Sequence, residues 1–309
     1  MAITAQQVKE LRELTDCGIM DCKKALTECD GDIEAAKAWL REKGMAKAEK
    51  KSSRVAAEGA VIADNAKLGA LVEINVETDF AAQTDKFKRF VDAACAHIIE
   101  KKPASVEELM AQPLNTDASK TVEVFTKEAI ADISENINIR RFAIYDVAGN
   151  GSVETYIHAG GKVGVLIELA VADDSVISKP EYKAMAKDIG MQIAAANPTW
   201  VTTSEVPQSE IDKEVAIITN KALEEGKPEK IIADRIVPGQ IKNFYALNCL
   251  YNQEFVKDDS LTVEQYVDKV AKELGTEISV VRFTRFGLGE GIEKKVDDFA
   301  EEVRKQAGL

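Results

Sequence analysis

The chain has 309 residues, and its 40 lysine and arginine residues are outnumbered by 53 aspartate and glutamate residues, which leaves a net charge of −13. This length allows about two domains with a sizeable core, and a hydrophobic content of 45% excludes wholesale disorder. The negative charge argues against a nucleic acid as the main partner, since binding to its phosphate backbone depends on clustered lysine and arginine.

Residue types that membrane spans, metal sites and hydrolytic enzymes require are scarce. No apolar run approaches the roughly 18 residues of a membrane helix, and the N-terminus lacks the apolar segment of a secretory signal. Five cysteines without a CxxC pair predict reduced, mostly buried thiols in a cytoplasmic protein. Two histidines, His97 and His158, offer little for a zinc site or a catalytic triad. We therefore expect no metal, no cofactor and no catalytic residue.

Three short helices are predicted at the N-terminus. Thr4 is a potential N-cap for the first helix. Residues 30–32 (Asp-Gly-Asp) form a turn and N-cap signal for the third helix, which Gly44 is predicted to end. A unit of about 40 residues is marginal by itself, so we expect an interaction module at 1–45 and a solvated basic linker at 46–56.

The middle of the chain contains an internal repeat. Residues 69–80 align with residues 164–175 at five identical positions and at three more where one aliphatic residue replaces another. In each copy a second strand-like run precedes this segment, and a helix and a third strand follow it. The pattern predicts a β-hairpin, a helix and a strand, twice over. The helices are predicted at 86–100 and 181–196, and the third strands at 137–142 and 278–283.

The second copy carries 46 additional residues, because the two copies begin 95 residues apart and end 141 residues apart. The extra residues, about 203–250, show helical spacing on both sides of a turn at 226–228, which predicts two antiparallel helices. Pro238 is expected to kink or split the returning helix. After a glycine-rich segment at 287–291, an amphipathic helix is predicted from residue 292 to about 305.

These elements predict an α+β fold. A three-helix domain precedes a duplicated core of two small antiparallel sheets with helices, with an inserted antiparallel helical hairpin (a coiled coil) and a C-terminal helix. The predicted boundaries are 1–45 for the three-helix domain, 46–56 for the basic linker, 57–146 for core subdomain one, 147–202 and 251–286 for core subdomain two, 203–250 for the hairpin insertion, and 287–309 for the C-terminal helical module.

Residues 78–81 (Thr-Asp-Phe-Ala) lie where a strand of the first copy is expected to turn into a helix. On one interpretation Asp79 caps that helix and Phe80 packs in the core. The second copy has Asp174 and Ser175 at these two positions, so the repeated fold does not require the aromatic ring. On the other interpretation the ring is an outward-facing wedge.

Two glycine-rich segments lack the spacing of phosphate-binding loops. Residues 160–164 do not fit a P-loop, and residues 287–291 do not fit a dinucleotide-binding loop. We expect a turn at the first, flanked by His158, and a hinge at the second. No nucleophile, base and oxyanion donors occur together, so the residues by themselves predict a binding protein.

Several motifs resemble the signatures of the bacterial elongation factor Ts family. They are residues 11–15 followed by 18–26, and then residues 78–80, 135–141, 158–160 (His-Ala-Gly) and 289–294, in the family's order and over essentially the whole chain. The resemblance implies a guanine-nucleotide exchange factor for elongation factor Tu that carries out no covalent chemistry. It also implies that the N-terminal helices form a ubiquitin-associated-like domain.

The resemblance implies roles for individual residues as well. Thr78, Asp79, Phe80 and Ala81 correspond to the segment that dislodges Mg²⁺ from the partner's nucleotide site. The residues expected to touch the partner elsewhere are Arg12, Met20, Lys23, Ile133, Ser134 and His158. On the partner, the G domain and the C-terminal β domain are the implied surfaces, the latter engaged by the second core copy. Neither a nucleic acid nor a membrane is implied as a partner.

Two other classes of protein stay open. One is an interaction scaffold that uses the helical domain and the hairpin without exchange activity. Unchanged nucleotide release with persistent binding in an Asp79→Ala, Phe80→Ala variant would favour it. The other is an enzyme acting on a nucleotide, which the missing phosphate loop disfavours and which GTP hydrolysis by the purified chain would favour.

Overall fold

The structure, a computed structural model, describes residues 3–15, 17–52, 54–64 and 67–292. It mixes helices with small antiparallel sheets, so the α+β fold class is confirmed. Two compact units are formed by the described parts of residues 1–60, 72–142 and 288–309, and of residues 61–71 and 143–287.

The described helices and strands follow in chain order. Up to residue 146 they are α1 (Ala5–Thr15), α2 (Ile19–Glu28), α3 (Ile33–Lys51), β1 (Glu58–Asp64), β2 (Leu68–Val76), α4 (Asp79–Ala82), α5 (Asp85–Lys101), α6 (Val106–Ala111), β3 (Pro113–Leu114), β4 (Asp117–Thr121), α7 (Val122–Ile133) and β5 (Ile137–Asp146). Beyond it they are β6 (Gly151–His158), β7 (Val163–Val171), α8 (Pro180–Ala196), α9 (Gln208–Glu224), α10 (Glu229–Ile231), α11 (Val237–Asn248), β8 (Glu254–Phe255), β9 (Asp258–Thr262), α12 (Val263–Leu274) and β10 (Ile278–Gly287).

The first and third N-terminal helices begin at side-chain caps, as predicted. The backbone N–H of Gln7 donates to Thr4 Oγ1 (3.3 Å), and the backbone N–H of Ala35 donates to Asp32 Oδ1 (2.9 Å). Each bond satisfies a donor that the first turn of a helix leaves unpaired. The core between these helices consists of Leu11, Cys22, Ala25, Leu26, Ala36 and Leu40.

Gly44 does not end the third helix, and the predicted linker at 46–56 is wrong in its first part, because α3 continues to Lys51. The second half of α3 packs on α7. The two helices are so close that a Cβ built on Gly44 would lie 3.1 Å from the Cβ of Ala131. This packing outweighs the low helix propensity of glycine, which costs about 1 kcal/mol relative to alanine.

In the first core copy, β1, β2 and β5 form a three-stranded sheet in that order, and β3 and β4 form a small hairpin. The predicted hairpin, helix and third strand are therefore present. Helix α5 begins at Thr84, whose Oγ1 accepts from the backbone N–H of Phe87 (3.2 Å). Phe87, Phe90 and Ile98 are buried on one face of this helix.

The second copy has the same order of elements. Strands β10, β7 and β6 form an antiparallel sheet in that order, and β8 and β9 form the second small hairpin. Helices α8 and α12 pack on the three-stranded sheet. A Cβ built on Gly190 would lie 2.5 Å from the Cβ of Tyr156, so α8 approaches β6 where only glycine fits. The core includes Val165, Ile167, Leu169, Met185, Ile189, Ile193, Val267 and Val280.

The predicted insertion is helical on both sides of its turn, and α9 packs against α11. Pro238 lies in the first turn of α11, and a π-helical segment (Ile232–Ile236) directly precedes that helix. Proline has no N–H to donate, and its ring crowds the carbonyl four residues before it. The wider π-helical turn therefore accommodates Pro238 within a continuous helical stretch.

Two further findings concern the predicted C-terminal helix and the possibility of a membrane span. The C-terminal helix predicted from residue 292 lies outside the described residues, which end there. Among the helices that the structure describes, none is both long and apolar enough to cross a membrane.

Candidate functional site

The one-turn helix α4 (Asp79–Ala82) follows strand β2. Thr78 is its N-cap, since Thr78 Oγ1 accepts from the backbone N–H of Ala81 (3.2 Å). Phe80 is 83% exposed, whereas Ala81 and Ala82 are buried. The interpretation in which Asp79 caps the helix and Phe80 packs in the core is therefore wrong, and the outward orientation of the ring is confirmed.

Glu135 holds the N-cap of this turn from the far end of the first copy. Its Oε2 accepts from the backbone N–H of Thr78 (2.9 Å), and its Oε1 accepts from the Thr78 hydroxyl (2.8 Å). One carboxylate thus binds both polar groups of Thr78 that can donate. Hydrogen bonds with an ionised acceptor are stronger than neutral ones.

A second carboxylate makes the reciprocal connection. Glu77 Oε1 accepts from the backbone N–H of Asn136 (2.6 Å). The buried side-chain amide of Asn136 donates to the carbonyl oxygens of Arg54 (2.7 Å) and Ser52 (3.3 Å). Residues 77–78 and 135–136 are therefore joined in both directions, and both are joined to the chain that follows α3.

Ile133 and Ser134 lie immediately before this connection. Ile133 is the last residue of α7 and is half-buried, and Ser134 is its exposed C-cap with a left-handed backbone (φ +68°). The backbone N–H of Ser134 donates to the carbonyl oxygen of Ile130 (2.9 Å), which ends the helix. Glu135 thus brings the predicted contact residues 133–134 together with residues 78–81.

Strand β2, which leads into this turn, carries a fully buried carboxylate, that of Glu73. Glu73 accepts from Arg140 Nη1 (3.0 Å), from Arg141 Nε and from the backbone N–H of Gly289 (2.8 Å). Burial by itself raises the pKa of Glu73, but the Gly289 N–H and the two guanidinium groups outweigh it and hold the pKa below its ordinary value. This network attaches the glycine-rich segment at 287–291 to β2 and β5.

The predicted contact residues of the N-terminal helices are all at the surface. Arg12 on α1 and Met20 and Lys23 on α2 are exposed, Met20 by 75%. Leu14 and Ile19 are exposed as well. The last two were not among the predicted contacts, although an apolar residue beside a helix end is a signal that could have found them.

His158 belongs to the second unit and lies at the exposed end of β6. Its Nδ1 is 3.0 Å from the hydroxyl oxygen of Tyr156, and the two rings stack with centroids 5.9 Å apart. The predicted turn follows, with positive φ at Ala159, Gly160 and Gly161. The ring of Tyr156 thus stacks on His158 directly before the tight turn.

The chemistry of the described residues is that of binding. Within the ranges that the structure covers, no group of three or more His, Cys, Asp or Glu side chains could hold a metal ion. All five cysteines are free, and burial raises the pKa of Cys249 to about 11, which makes it a poor nucleophile. The site is instead an exposed aromatic ring on a turn fixed by hydrogen bonds.

The fold and this site define a protein that acts by binding a protein partner. Comparisons with known proteins identify its family. Residues 77–290 match the profile of the family described as Elongation factor TS. The chain is 49% identical to elongation factor Ts of Trichlorobacter lovleyi over 312 residues, covering 100% of both chains. It is 48% identical to that of Clostridium botulinum and 47% identical to that of Symbiobacterium thermophilum, each over 99% of both chains.

The chain belongs to the elongation factor Ts family. It is a translation elongation factor that acts in nucleotide exchange on elongation factor Tu and catalyses no covalent chemistry. The family predicted from the sequence motifs is confirmed.

Proposed function

We propose that this chain binds the GDP form of elongation factor Tu and speeds GDP release by displacing the elements that order Mg²⁺ in the partner's nucleotide site. Residues 78–81 carry this action, and Phe80 is the side chain that inserts. The observation that supports this proposal most directly is the 83% exposure of Phe80 on a turn whose next residue, Ala81, is buried.

An exposed aromatic ring contributes free energy to binding when a partner covers it. Nucleotide-binding proteins of this kind hold GDP through backbone amides and a Mg²⁺ ion bound to hydroxyl and phosphate oxygens. Insertion of Phe80 between two helices of the G domain moves the groups that order this ion. Burying a phenylalanine side chain contributes about 1.5–3 kcal/mol, and each 1.4 kcal/mol corresponds to tenfold in affinity.

Thermodynamic linkage makes the complex with nucleotide transient. The factor by which this chain weakens GDP binding equals the factor by which GDP weakens the binding of this chain. GTP can then bind the emptied site and release the exchange factor. No bond is made or broken in this cycle.

The remaining predicted contacts anchor the two proteins. Arg12, Met20 and Lys23 of the N-terminal ubiquitin-associated-like helices dock on the G domain. Ile133 and Ser134 touch the G domain beside Phe80. The second copy of the duplicated core, with His158, engages the C-terminal β domain. Because bacterial translation takes place in the cytoplasm, we also propose that location for this chain.

Stopped-flow release of a fluorescent GDP from elongation factor Tu, with Mg²⁺ present, tests the proposal. The wild-type chain should accelerate release in a concentration-dependent way, and the double variant Asp79→Ala, Phe80→Ala should lose most of that acceleration. Leu247→Ala is a matched truncation of an exposed apolar residue on α11. This variant should accelerate GDP release from elongation factor Tu as much as the wild type does.

The rival function is an interaction scaffold without exchange activity. It predicts that the double variant still binds elongation factor Tu and that neither variant nor wild type changes the release rate. Binding is measured in the same experiment by titration of labelled partner. Acceleration that is unaffected by the double variant would keep the exchange function and move the site away from residues 78–81.

A further inference from the structure

We infer that Glu135 is a positioning residue for Phe80: its carboxylate fixes the one-turn helix α4 in the orientation in which the ring points outward. This inference rests on the proposed function of residues 78–81. It concerns a residue that touches neither nucleotide nor ring and acts through Thr78.

A chain of hydrogen bonds connects Glu135 to the turn that carries Phe80. Glu135 accepts from the backbone N–H (2.9 Å) and the hydroxyl (2.8 Å) of Thr78, and Thr78 Oγ1 in turn accepts from the N–H of Ala81 (3.2 Å). The two bonds fix the backbone and the χ1 rotamer of Thr78 together, because both groups are bound to one rigid carboxylate. The rotamer of Thr78 decides whether its oxygen can cap the turn that presents Phe80.

Helix α4 has few stabilising interactions other than its cap and its two buried alanines. A helix of four residues closes a single turn, and a first turn is unfavourable by itself because several dihedral angles are fixed for one hydrogen bond. The exposed ring of Phe80 contributes no burial on its own side. The turn therefore depends on its cap and on the buried Ala81 and Ala82, and Glu135 holds the cap.

The second copy of the repeat lacks the aromatic ring and shows how the fold is built without it. Gly275 there has the left-handed backbone of Ser134 (φ +68° in both), so Thr276 occupies the position of Glu135. The corresponding ends of this copy are joined by a bond between backbone groups, from the N–H of Ala172 to the carbonyl oxygen of Glu277 (3.1 Å). The fold is thus built without a carboxylate at this position where no ring has to be presented.

The consequence is a turn that is ordered before the partner arrives. A binding segment that is already in its bound conformation loses less conformational entropy on association. Because Glu135 directly follows Ile133 and Ser134, the same carboxylate also fixes the spacing between that contact segment and Phe80. Docking also depends on the other proposed contacts, whereas Phe80 acts in the release step. Loss of the carboxylate should therefore lower the maximal rate of GDP release more than the affinity.

The test compares Glu135→Ala, Glu135→Gln and Phe80→Ala in the full-length chain, by GDP release from elongation factor Tu as a function of exchange-factor concentration. Glu135→Ala should lower the maximal rate about tenfold, which corresponds to about 1.4 kcal/mol. Glu135→Gln keeps one acceptor oxygen and should recover part of that loss. Glu224→Ala removes an exposed carboxylate on α9, outside both core copies, and should have no effect.

A double variant shows whether Glu135 acts through the ring. In the Phe80→Ala background, the further change Glu135→Ala should alter the maximal rate by less than about twofold, because residues that act as a unit are not additive. Hydrogen exchange adds a readout that needs no partner. The amides of Thr78 and Ala81 should exchange faster in Glu135→Ala, while those of α5 keep their wild-type rates.

Failure of the inference and failure of the proposed function give different results. If Phe80→Ala slows release and Glu135→Ala does not, the positioning role is overturned and the proposed function stands. If Phe80→Ala leaves release unchanged, the proposed function fails and the role of Glu135 fails with it. Fully multiplicative effects, or faster exchange spread over α5 as well, would make Glu135 a general structural residue and overturn the inference.

Discussion

Phe80 and Ala81 are adjacent residues of a one-turn helix, yet Phe80 is 83% exposed and Ala81 only 6%. The N–H of Ala81 is bonded to the cap of that helix, so the buried residue anchors the turn and the exposed residue projects from it. An aromatic ring in this position adds nothing to the core. On the proposed mechanism, its contribution to the free energy comes when the partner protein covers it.

This relationship predicts that Phe80→Ala leaves the stability of the free protein nearly unchanged. Surface substitutions usually change the free energy of unfolding by less than about 0.5 kcal/mol. Phe87, seven residues on, is fully buried, and Phe87→Ala should cost about 3–5 kcal/mol. Urea unfolding followed by circular dichroism measures both, and a large loss of stability in Phe80→Ala would contradict the exposed orientation.

Met20→Ala should weaken docking without slowing the release step itself. Met20 is 75% exposed, and Leu14 and Ile19 are exposed as well; the proposed role of Met20 is to anchor the N-terminal helices on the partner. Its truncation should raise the half-saturating concentration of the exchange factor up to about tenfold, or 1.4 kcal/mol, with the maximal rate of GDP release unchanged. A lowered maximal rate at saturation would place Met20 in the release step.

Glu73→Gln should destabilise the protein at neutral pH and much less in acid. The folded state holds the pKa of Glu73 below its ordinary value despite the opposing effect of burial, through Gly289, Arg141 and Arg140. The resulting stability is present above the unfolded pKa of about 4.3 and is lost as the pH falls through the lower folded pKa. We expect a deficit of about 1.5–3 kcal/mol at pH 7, typical of a hydrogen-bonded charged group.

Urea unfolding of wild type and Glu73→Gln at pH 7 and at pH 3 measures this difference. The gap between the two proteins should shrink at the lower pH, because unfolded wild-type protein then binds a proton at Glu73 that the folded state, with its lower pKa, binds less readily. Glu224→Gln, at the exposed end of α9, should change the free energy of unfolding at pH 7 by less than about 0.5 kcal/mol. A gap of constant size would mean that the charge of Glu73 does not stabilise the fold.

Two glycines should respond to alanine in opposite directions. Gly289 has φ +68°, and a Cβ there would lie 2.5 Å from the carbonyl oxygen of Ala57, so Gly289→Ala should destabilise by about 1–3 kcal/mol. Gly239 lies in α11 with no atom within 4 Å of its Cβ position, so Gly239→Ala should stabilise by about 0.4–1 kcal/mol. Thermal unfolding of both variants decides the matter, and shifts of the same sign would contradict it.

Local chemistry predicted most elements of the fold, although helices α7 and α12 were not among the predictions. Thr4 and Asp32 are caps because their side chains reach backbone groups three residues away, which sequence spacing reveals. The repeat predicted both hairpins and both third strands from hydrophobic alternation. The continuation of α3 through Gly44 was missed because its support comes from α7, more than 70 residues along the chain. Strands β3 and β8 were missed because two residues show no alternation.

The same limit applies to the site. The sequence raised the outward orientation of Phe80 as one of two interpretations, because the second copy showed that the fold does without the ring, and the structure decides between them. The bond between Glu135 and Thr78 could not be predicted, because it joins residues 57 positions apart and neither residue type indicates the other. Apart from the start of the linker, where α3 continues to Lys51, the predicted domain boundaries stay predictions. The same holds for the partner contacts of Arg12, Met20, Lys23, Ile133, Ser134 and His158.

The most direct test of the account is the Mg²⁺ dependence of the Phe80→Ala defect. GDP release from elongation factor Tu is measured at saturating wild-type or variant protein, once with millimolar Mg²⁺ and once after chelation of the ion. If Phe80 acts by displacing the groups that order Mg²⁺, a defect of about tenfold or more with the ion present should fall below about twofold without it. A defect of the same size in both conditions would show that Phe80 acts on nucleotide release by a route that does not involve Mg²⁺.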